Sequence, residues 1–212
     1  GAGALLKPVT VNPFGDLGND WSKYIQTYDP KDDLSVADQR RVIEFCQFVS
    51  HANDADFAKR IGDYIDLEAF AKYYAVLVWI NNIDSLLDKG QNFYLHLNPA
   101  TQKFSFIPWD QDHSFGGFSQ VERRDYANGS ITKPWADNIK FLARMNAVPA
   151  FRAAYLARLR ELSGTIFKPE RFAAQVAELA TIIRPVVAEE PALLGRFEAV
   201  ASGKTGVIPF TA

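Results

Sequence analysis

Two aspartates separated by one residue, Asp110 and Asp112, directly follow the apolar segment FSFIPW, which is typical of a buried β-strand. Two carboxylates this close repel each other unless a cation lies between them or their side chains point apart. The pair therefore indicates one of two structures. It is either part of a divalent-cation site or an acidic turn whose carboxylates accept hydrogen bonds from backbone N–H groups.

An EF-hand loop is one form that such a cation site could take. Asp110, Asp112 and Ser114 match the first three ligand positions of that loop. The loop also requires glycine at its sixth position and glutamate at its twelfth. Phe115 and Val121 occupy these positions here, so the sequence excludes an EF-hand.

Further candidate ligands lie upstream, between an apolar helix and a predicted strand pair. Asp84 and Asp88 follow the helix, and Asn92 begins the first strand of a hairpin whose second strand ends at Asp110. Because the start of the first strand faces the end of the second, we expect Asn92 and Asp110 to lie side by side. Carboxylate and carboxamide oxygens are the hard ligands that Mg²⁺ and Mn²⁺ prefer. We expect Asp84 or Asp88 close to this pair.

The same order of residues serves phosphoryl transfer. In kinases, a loop aspartate lies near the acceptor hydroxyl, a later asparagine binds metal, and a second metal-binding aspartate returns from a hairpin just before glycine. The kinase motifs H-R-D and D-F-G are absent from this sequence, as are the glycine-rich loops G-x-G-x-x-G and G-x-x-x-x-G-K-[ST]. The spacing alone thus indicates a kinase-like site without the usual kinase motifs.

Hydrophobic periodicity predicts the elements that position these residues. Apolar residues at helical spacing predict a helix after Ser35, a shorter one after Asp54 and a buried one after Asp66. Period-2 patterning occurs only over residues 92–109 and predicts the hairpin. Residues 1–33 are rich in turn-forming residues and predict irregular structure. Further helices are expected at about 134–146, 149–164, 169–188 and 190–201.

Composition and pattern together bound the class of protein. The chain has 212 residues, 48% hydrophobic, with a net charge of −2, so no basic excess points to nucleic acid or an anionic membrane surface. No apolar run is long enough to span a membrane. The single cysteine, Cys46, lies in an apolar pattern typical of a core residue. We expect an α+β fold, mainly α, with one central β-hairpin surrounded by helices.

Residues from about 68 to 118 resemble the CotH kinase family, through a helix ending in NNID, then QNFYLHL and FSFIPWDQDHSFGG. The segments LLKP and GNDWSKYIQTYDPK extend the resemblance toward the N-terminus. Members of this family are atypical protein kinases that use ATP and a divalent metal, and known members phosphorylate spore-coat proteins. The resemblance implies transfer of the γ-phosphoryl group of ATP to serine or threonine of a protein substrate. It favours a cell-surface, secreted or spore-coat location.

The resemblance also implies a role for each matched residue. Asp84 resembles the catalytic-loop aspartate, which orients or deprotonates the acceptor hydroxyl, and Asp88 competes for that role because it is nearer to Asn92. Asn92 and Asp110 would hold Mg²⁺ or Mn²⁺ against the nucleotide phosphates. Asp112 would be a second or outer ligand of the cation.

The resemblance implies that the chain is the C-terminal lobe of a kinase-like fold. We expect a single lobe over residues 1–212, with a lead-in at 1–33, a catalytic core at 34–118 and a helical tail at 119–212. Gly116 would let the backbone turn beside the phosphates of the nucleotide. The nucleotide-covering loop and the phosphate-binding lysine are expected in an N-terminal lobe upstream. The alternative is a non-catalytic surface or cell-wall interaction module that binds a divalent metal.

Overall fold

The hairpin predicted from the period-2 pattern is present in the computed structural model, which describes residues 3–116 and 130–189. Its strands, β2 (Phe93–Leu97) and β3 (Phe104–Pro108), pair antiparallel, with Phe93 opposite Pro108 and Leu97 opposite Phe104. A third strand, β1 (Ala4–Leu6), pairs antiparallel with the free edge of β2. The described sheet therefore has the order β1-β2-β3.

The described part of the chain contains seven helices besides this sheet, so the prediction of a mainly α, α+β fold is confirmed. They are α1 (Ser22–Tyr28), α2 (Val36–His51), α3 (Asp54–Arg60), α4 (Leu67–Trp79), α5 (Lys140–Ala147), α6 (Pro149–Gly164) and α7 (Pro169–Val187). The helix predicted at 190–201 lies outside the described residues. Of the helices that the structure describes, none combines the length and apolarity needed to cross a bilayer.

The chain divides into two compact units, Gly1–Arg158 and Leu159–Ala212. The first unit contains the sheet, helices α1 to α5 and all the residues predicted to form the site. Helix α7 belongs to the second unit. The prediction that residues 1–212 form a single lobe stays a prediction.

The lead-in is more regular than its composition suggested. The prediction of irregular structure over residues 1–33 is wrong for β1 and α1, which are too short to show a periodic pattern. Helix α5 begins at Lys140 rather than near residue 134. The N–H of Ala136 donates to the carbonyl of Leu87 at 2.8 Å, so this stretch bonds another segment instead of forming a helical turn.

Helix α4 is the buried helix that the sequence predicts. The side chain of Asp66 caps it by accepting from the N–H groups of Glu68, at 3.0 Å, and Ala69, at 3.1 Å. The ring of Phe70 in α4 packs on that of Phe106 in β3, with centroids 4.5 Å apart. Burying rings of this size dominates core energetics, so the contact fixes α4 against the hairpin.

A cluster of phenylalanines joins the remaining elements of the first unit. Phe45 of α2 lies 4.8 Å from Phe14 of the lead-in and 4.9 Å from Phe104 of β3, measured between ring centroids. Phe14 also packs edge-on against Phe141 of α5 at 4.7 Å. Each of these four rings is at most 1% exposed. The hairpin therefore rests on an aromatic core to which helices α2, α4 and α5 all contribute.

Cys46 is buried, as predicted for a core residue. Its Sγ lies 3.0 Å from the hydroxyl of Tyr28. Burial raises the pKa of the Cys46 thiol to about 12, because the interior disfavours the thiolate. The thiol therefore stays protonated at neutral pH and serves as a packing group.

Two adjacent tyrosines of α4 give opposite predictions for stability. The hydroxyl of Tyr73 is buried without a hydrogen-bond partner among the described residues, whereas that of Tyr74 accepts from Asn146 Nδ2 at 3.0 Å. We expect Tyr73→Phe to raise the free energy of unfolding by about 1 kcal/mol, since it removes an unpaired polar group. Tyr74→Phe should lower the free energy of unfolding by a similar amount, because it leaves one N–H of the buried Asn146 amide without an acceptor. Urea unfolding followed by circular dichroism measures both, and equal effects of the two changes would contradict this account.

Candidate functional site

The loop between α4 and β2, residues 80–92, carries the first candidate residues. Helix α4 ends where Asn81 adopts a left-handed conformation, with φ 49°. The hydroxyl of Ser85 then donates to the carbonyl of Asn82 at 2.6 Å and accepts from the N–H of Leu87 at 3.2 Å. Ser85 is fully buried. The turn that contains Asp84 is therefore held by its own buried side chains.

Two distant segments of the chain pack onto this loop. Gly90 has φ +65°, and a Cβ atom there would lie 1.9 Å from the carbonyl oxygen of Thr10. On the other side, Nδ2 of Asn138 donates to the carbonyls of Val11, at 3.2 Å, and Asp88, at 3.3 Å. The loop is thus fixed between the lead-in and the segment that precedes α5.

Asp84 and Asn92 contact each other directly. Nδ2 of Asn92 donates to the backbone carbonyl of Asp84 at 2.7 Å and to its carboxylate Oδ2 at 3.0 Å. The other carboxylate oxygen of Asp84 accepts from Nε2 of Gln91 at 2.6 Å. Asp84 is 8% exposed, and each oxygen of its nearly buried carboxylate accepts a hydrogen bond from one of these two amides.

Asn92 and Asp110 lie at the same end of the hairpin, where the sequence predicted them. The N–H of Trp109 donates to the carbonyl of Asn92 at 3.2 Å, and Asp110 is the next residue. Both Asn92 and Asp110 are left-handed, with φ 59° and 53°. Among residues other than glycine, Asn and Asp adopt this conformation most readily.

The oxygens of these two side chains are available to a ligand. Among the described residues, nothing donates to Oδ1 of Asn92, and no hydrogen bond or ion pair reaches the exposed carboxylate of Asp110. No three His, Cys, Asp or Glu side chains form a metal-binding group in that part of the chain. The donor set is therefore one amide oxygen and one carboxylate. That set fits Mg²⁺, which is commonly bound by one or two carboxylates together with substrate phosphates.

Asp88 lies in the same loop but makes different contacts. Its carboxylate is 3.8 Å from Nζ of Lys89, and within the described ranges it has no hydrogen bond to Asn92. The sequence left open whether Asp84 or Asp88 is the catalytic aspartate. The structure brings Asp84, and not Asp88, into contact with Asn92.

Asp112 and Gly116 lie beyond the end of β3. The carboxylate of Asp112 has an exposed side chain and is 4.0 Å from Nε2 of His113. Gly116 ends a short 3₁₀ turn, Ser114–Gly116, in which the N–H of Phe115 donates to the carbonyl of Ile80 at 2.6 Å. That bond ties the segment after Asp112 to the end of α4.

Gln111, between the two aspartates, is the site residue that sequence reasoning missed. Its Nε2 donates to the carbonyls of Asn92, at 3.3 Å, and Trp109, at 2.5 Å. Its Oε1 accepts from Nδ2 of Asn82 at 3.0 Å. Gln111 lies just beyond the period-2 pattern of residues 92–109, so the sequence carried no signal for it, and its half-buried position between the exposed Asp110 and Asp112 is visible only in the structure.

An aromatic surface adjoins Asp110. Trp109 is 47% exposed and packs edge-on against Tyr94 of β2, with centroids 5.3 Å apart. Nζ of Lys7 lies over the Trp109 ring at 5.7 Å from its centroid. An exposed tryptophan beside a candidate metal ligand offers a face on which a planar ring can stack.

These features define a small α+β unit in which a helix-end loop and a hairpin end bring Asp84, Asn92 and Asp110 together. The family model of the CotH kinase protein matches residues 5–207 of the sequence. The chain therefore belongs to the CotH kinase protein family.

A curated relative is similar to part of the chain. It is the inner spore coat protein H of Bacillus subtilis (strain 168), which is 26% identical over 141 residues. The match covers 65% of this chain and 36% of the relative. The chain thus matches little more than a third of that relative's length.

The close approach at Gly90 gives a test of the loop. We expect Gly90→Ala to lower the free energy of unfolding by about 2 kcal/mol or more, because the new Cβ meets the Thr10 carbonyl and φ is left-handed. Gly164→Ala is the matched control, since nothing lies within 4 Å of a Cβ there. The control should be neutral or slightly stabilising in a helix. Thermal unfolding of both variants checks this, and a Gly90→Ala protein as stable as the control would show that the contact is wrong.

Proposed function

We propose that this chain carries the phosphoryl-transfer site of an ATP- and Mg²⁺-dependent protein kinase that modifies serine or threonine of a coat or surface protein. The observation that carries the proposal is the contact of Asn92 with Asp84, beside Asp110 at the hairpin end. This arrangement supports the proposal because a kinase needs an acceptor-orienting aspartate, a metal-binding asparagine and a metal-binding aspartate close together, and these three residues would take those roles.

Asp84 is the proposed catalytic aspartate. The amides of Gln91 and Asn92 hold its carboxylate at 2.6 and 3.0 Å, so its orientation is set before a substrate arrives. In this role Asp84 would orient the acceptor hydroxyl toward the γ-phosphoryl group and take up its proton. Asp88 lacks the contact with Asn92 and is the weaker candidate.

Asn92 and Asp110 are the proposed ligands of Mg²⁺ or Mn²⁺. Oδ1 of Asn92 and the carboxylate of Asp110 would bind the cation, with Asp112 as an outer ligand. A bound cation neutralises charge that develops on the transferred phosphoryl group.

Gly116 would let the backbone turn close to the phosphates. Trp109 would offer its exposed face to the base of ATP.

The curated relative supports the proposed location. The relative is an inner spore coat protein, which supports a coat or cell-surface location for this protein. The net charge of −2 is consistent with a protein substrate rather than nucleic acid.

A second candidate function is a non-catalytic surface module in which a divalent cation only orders the loop. The observation in its favour is that two amides already occupy the Asp84 carboxylate. Such a module binds Mn²⁺ equally well with and without ATP and labels no acceptor protein. The kinase binds the cation more tightly when ATP is present, because the phosphates supply further ligands.

The two aspartates around Gln111 give the test of the proposed site. In the full-length protein, we expect Asp110→Asn to reduce the rate of phosphate transfer about 100-fold, the order of loss expected on removing one charge-stabilising group. Asn tolerates the left-handed φ of 53° at this position, so the fold should persist. Asp112→Asn is the matched control, with an effect of about tenfold or less for an outer ligand.

The measurement is transfer of labelled γ-phosphate from ATP to a coat-protein extract or to the protein itself. Circular dichroism of both variants shows whether each is folded. Wild-type transfer rates in folded Asp110→Asn protein would refute the assignment of Asp110. Transfer lost equally in both variants would instead assign the two carboxylates equal roles.

A further inference from the structure

A chain of side-chain amides connects the loop after α4 to the end of the hairpin. Nδ2 of Asn82 donates to Oε1 of Gln111 at 3.0 Å. Nε2 of Gln111 donates in turn to the carbonyls of Asn92 and Trp109 at 3.3 and 2.5 Å. Gln111 therefore bonds the residue that precedes β2, Asn92, and the residue that follows β3, Trp109. Neither Asn82 nor Gln111 has a role in the proposed chemistry.

The chemistry of the partners determines how both amides are oriented. The two backbone carbonyls can only accept, so the nitrogen of Gln111 must face them and its oxygen must face Asn82. Asn82 must then present its nitrogen to Gln111. Its own oxygen, Oδ1, is left buried without a hydrogen-bond partner among the described residues, and Asn82 as a whole is 0% exposed.

An unpaired buried oxygen destabilises the folded state. The hydrogen bond from Asn82 Nδ2 to Gln111 is therefore the reason to have an amide at this position. That bond reaches the residue between the two aspartates. Leucine of similar size would avoid the unpaired oxygen but would leave Oε1 of Gln111 without a donor. The hydrogen bond between Asn82 and Gln111 thus fixes the separation between the loop and the hairpin end, although it leaves Oδ1 of Asn82 unpaired among the described residues.

We propose that Asn82 and Gln111 form a positioning pair that sets the separation between the Asp84–Asn92 contact and Asp110, and thereby the affinity of the site for its divalent cation. This inference rests on the proposed function for the identity of the ligand oxygens. The Asp110 carboxylate makes no hydrogen bond or ion pair with a described residue, so its position depends on the backbone of Trp109 and Gln111. Groups that orient metal ligands in this way typically contribute about 10- to 100-fold in metal affinity.

The test is the binding of Mn²⁺ alone, and of Mn²⁺ with ATP, to the full-length protein, followed by the electron paramagnetic resonance signal of the free ion. The variants are Asn82→Ala, Gln111→Ala and the double variant. We expect each single change to weaken Mn²⁺ binding about tenfold. The double variant should be little worse than either single one, because the two residues act as one unit.

Two controls separate positioning from general loss of stability. Gln102→Ala removes the same side chain from the opposite end of the hairpin, where its amide donates to the carbonyl of Pro99 at 3.2 Å. Asn146→Ala removes another buried amide, one that bonds Tyr74 and Leu142 in the core. We expect Asn146→Ala to lower the melting temperature, and both controls to bind Mn²⁺ as the wild type does. Gln111 is half-buried, so Gln111→Ala decides the question if Asn82→Ala fails to fold.

The outcomes distinguish this inference from the proposed function. Mn²⁺ binding by folded Gln111→Ala within twofold of the wild type would overturn the positioning role, even if the protein transfers phosphate. Wild-type protein that binds no Mn²⁺, with or without ATP, would overturn it too. Weakened Mn²⁺ binding in Gln111→Ala supports the positioning role whether or not transfer is seen. Wild-type protein that binds Mn²⁺ but labels no acceptor would refute the kinase alone.

Discussion

The site depends on the hydrogen bonds from the Asn92 amide to Asp84, because they join the loop that follows helix α4 to the start of the hairpin. Asp84 follows the buried helix α4, and Asn92 begins the hairpin. One amide group bonds both the carbonyl and the carboxylate of Asp84, so a small shift of α4 against the hairpin would break both bonds. The left-handed conformation of Asn92 points its side chain toward this contact.

The aromatic core makes that constraint possible. Phe70 of α4 packs directly on Phe106 of β3, so the helix and the strand that leads to Asp110 share one rigid contact. The loop between them is then fixed from outside by Thr10 and Asn138, which belong to segments far away in sequence. The proposed cation site takes two oxygen ligands from the described residues, so it depends on such rigid support more than a site with several carboxylates would.

Membership of the CotH kinase protein family and the geometry of the site support the proposed function independently of each other. The family match concerns residues 5–207 as a whole, whereas the geometry concerns a few oxygens at one end of the hairpin. The kinase motifs H-R-D and D-F-G are missing from the sequence, yet Asp84, Asn92 and Asp110 lie at the same end of the hairpin. The proposed activity therefore depends on the arrangement of the Asp84, Asn92 and Asp110 side chains and does not require the usual kinase motifs.

The sequence by itself determined the elements whose patterns are local: the capped helices α2 and α4, the hairpin, and the adjacency of Asn92 and Asp110 that follows from hairpin pairing. It could not show β1 or α1, which are too short for a period, or the role of Gln111, whose partners lie at Asn82, Asn92 and Trp109. It also left Asp84 and Asp88 equivalent as candidates. Only the tertiary structure decided which of them meets Asn92, because hydrogen bonds between distant segments depend on packing and leave no periodic trace in the sequence.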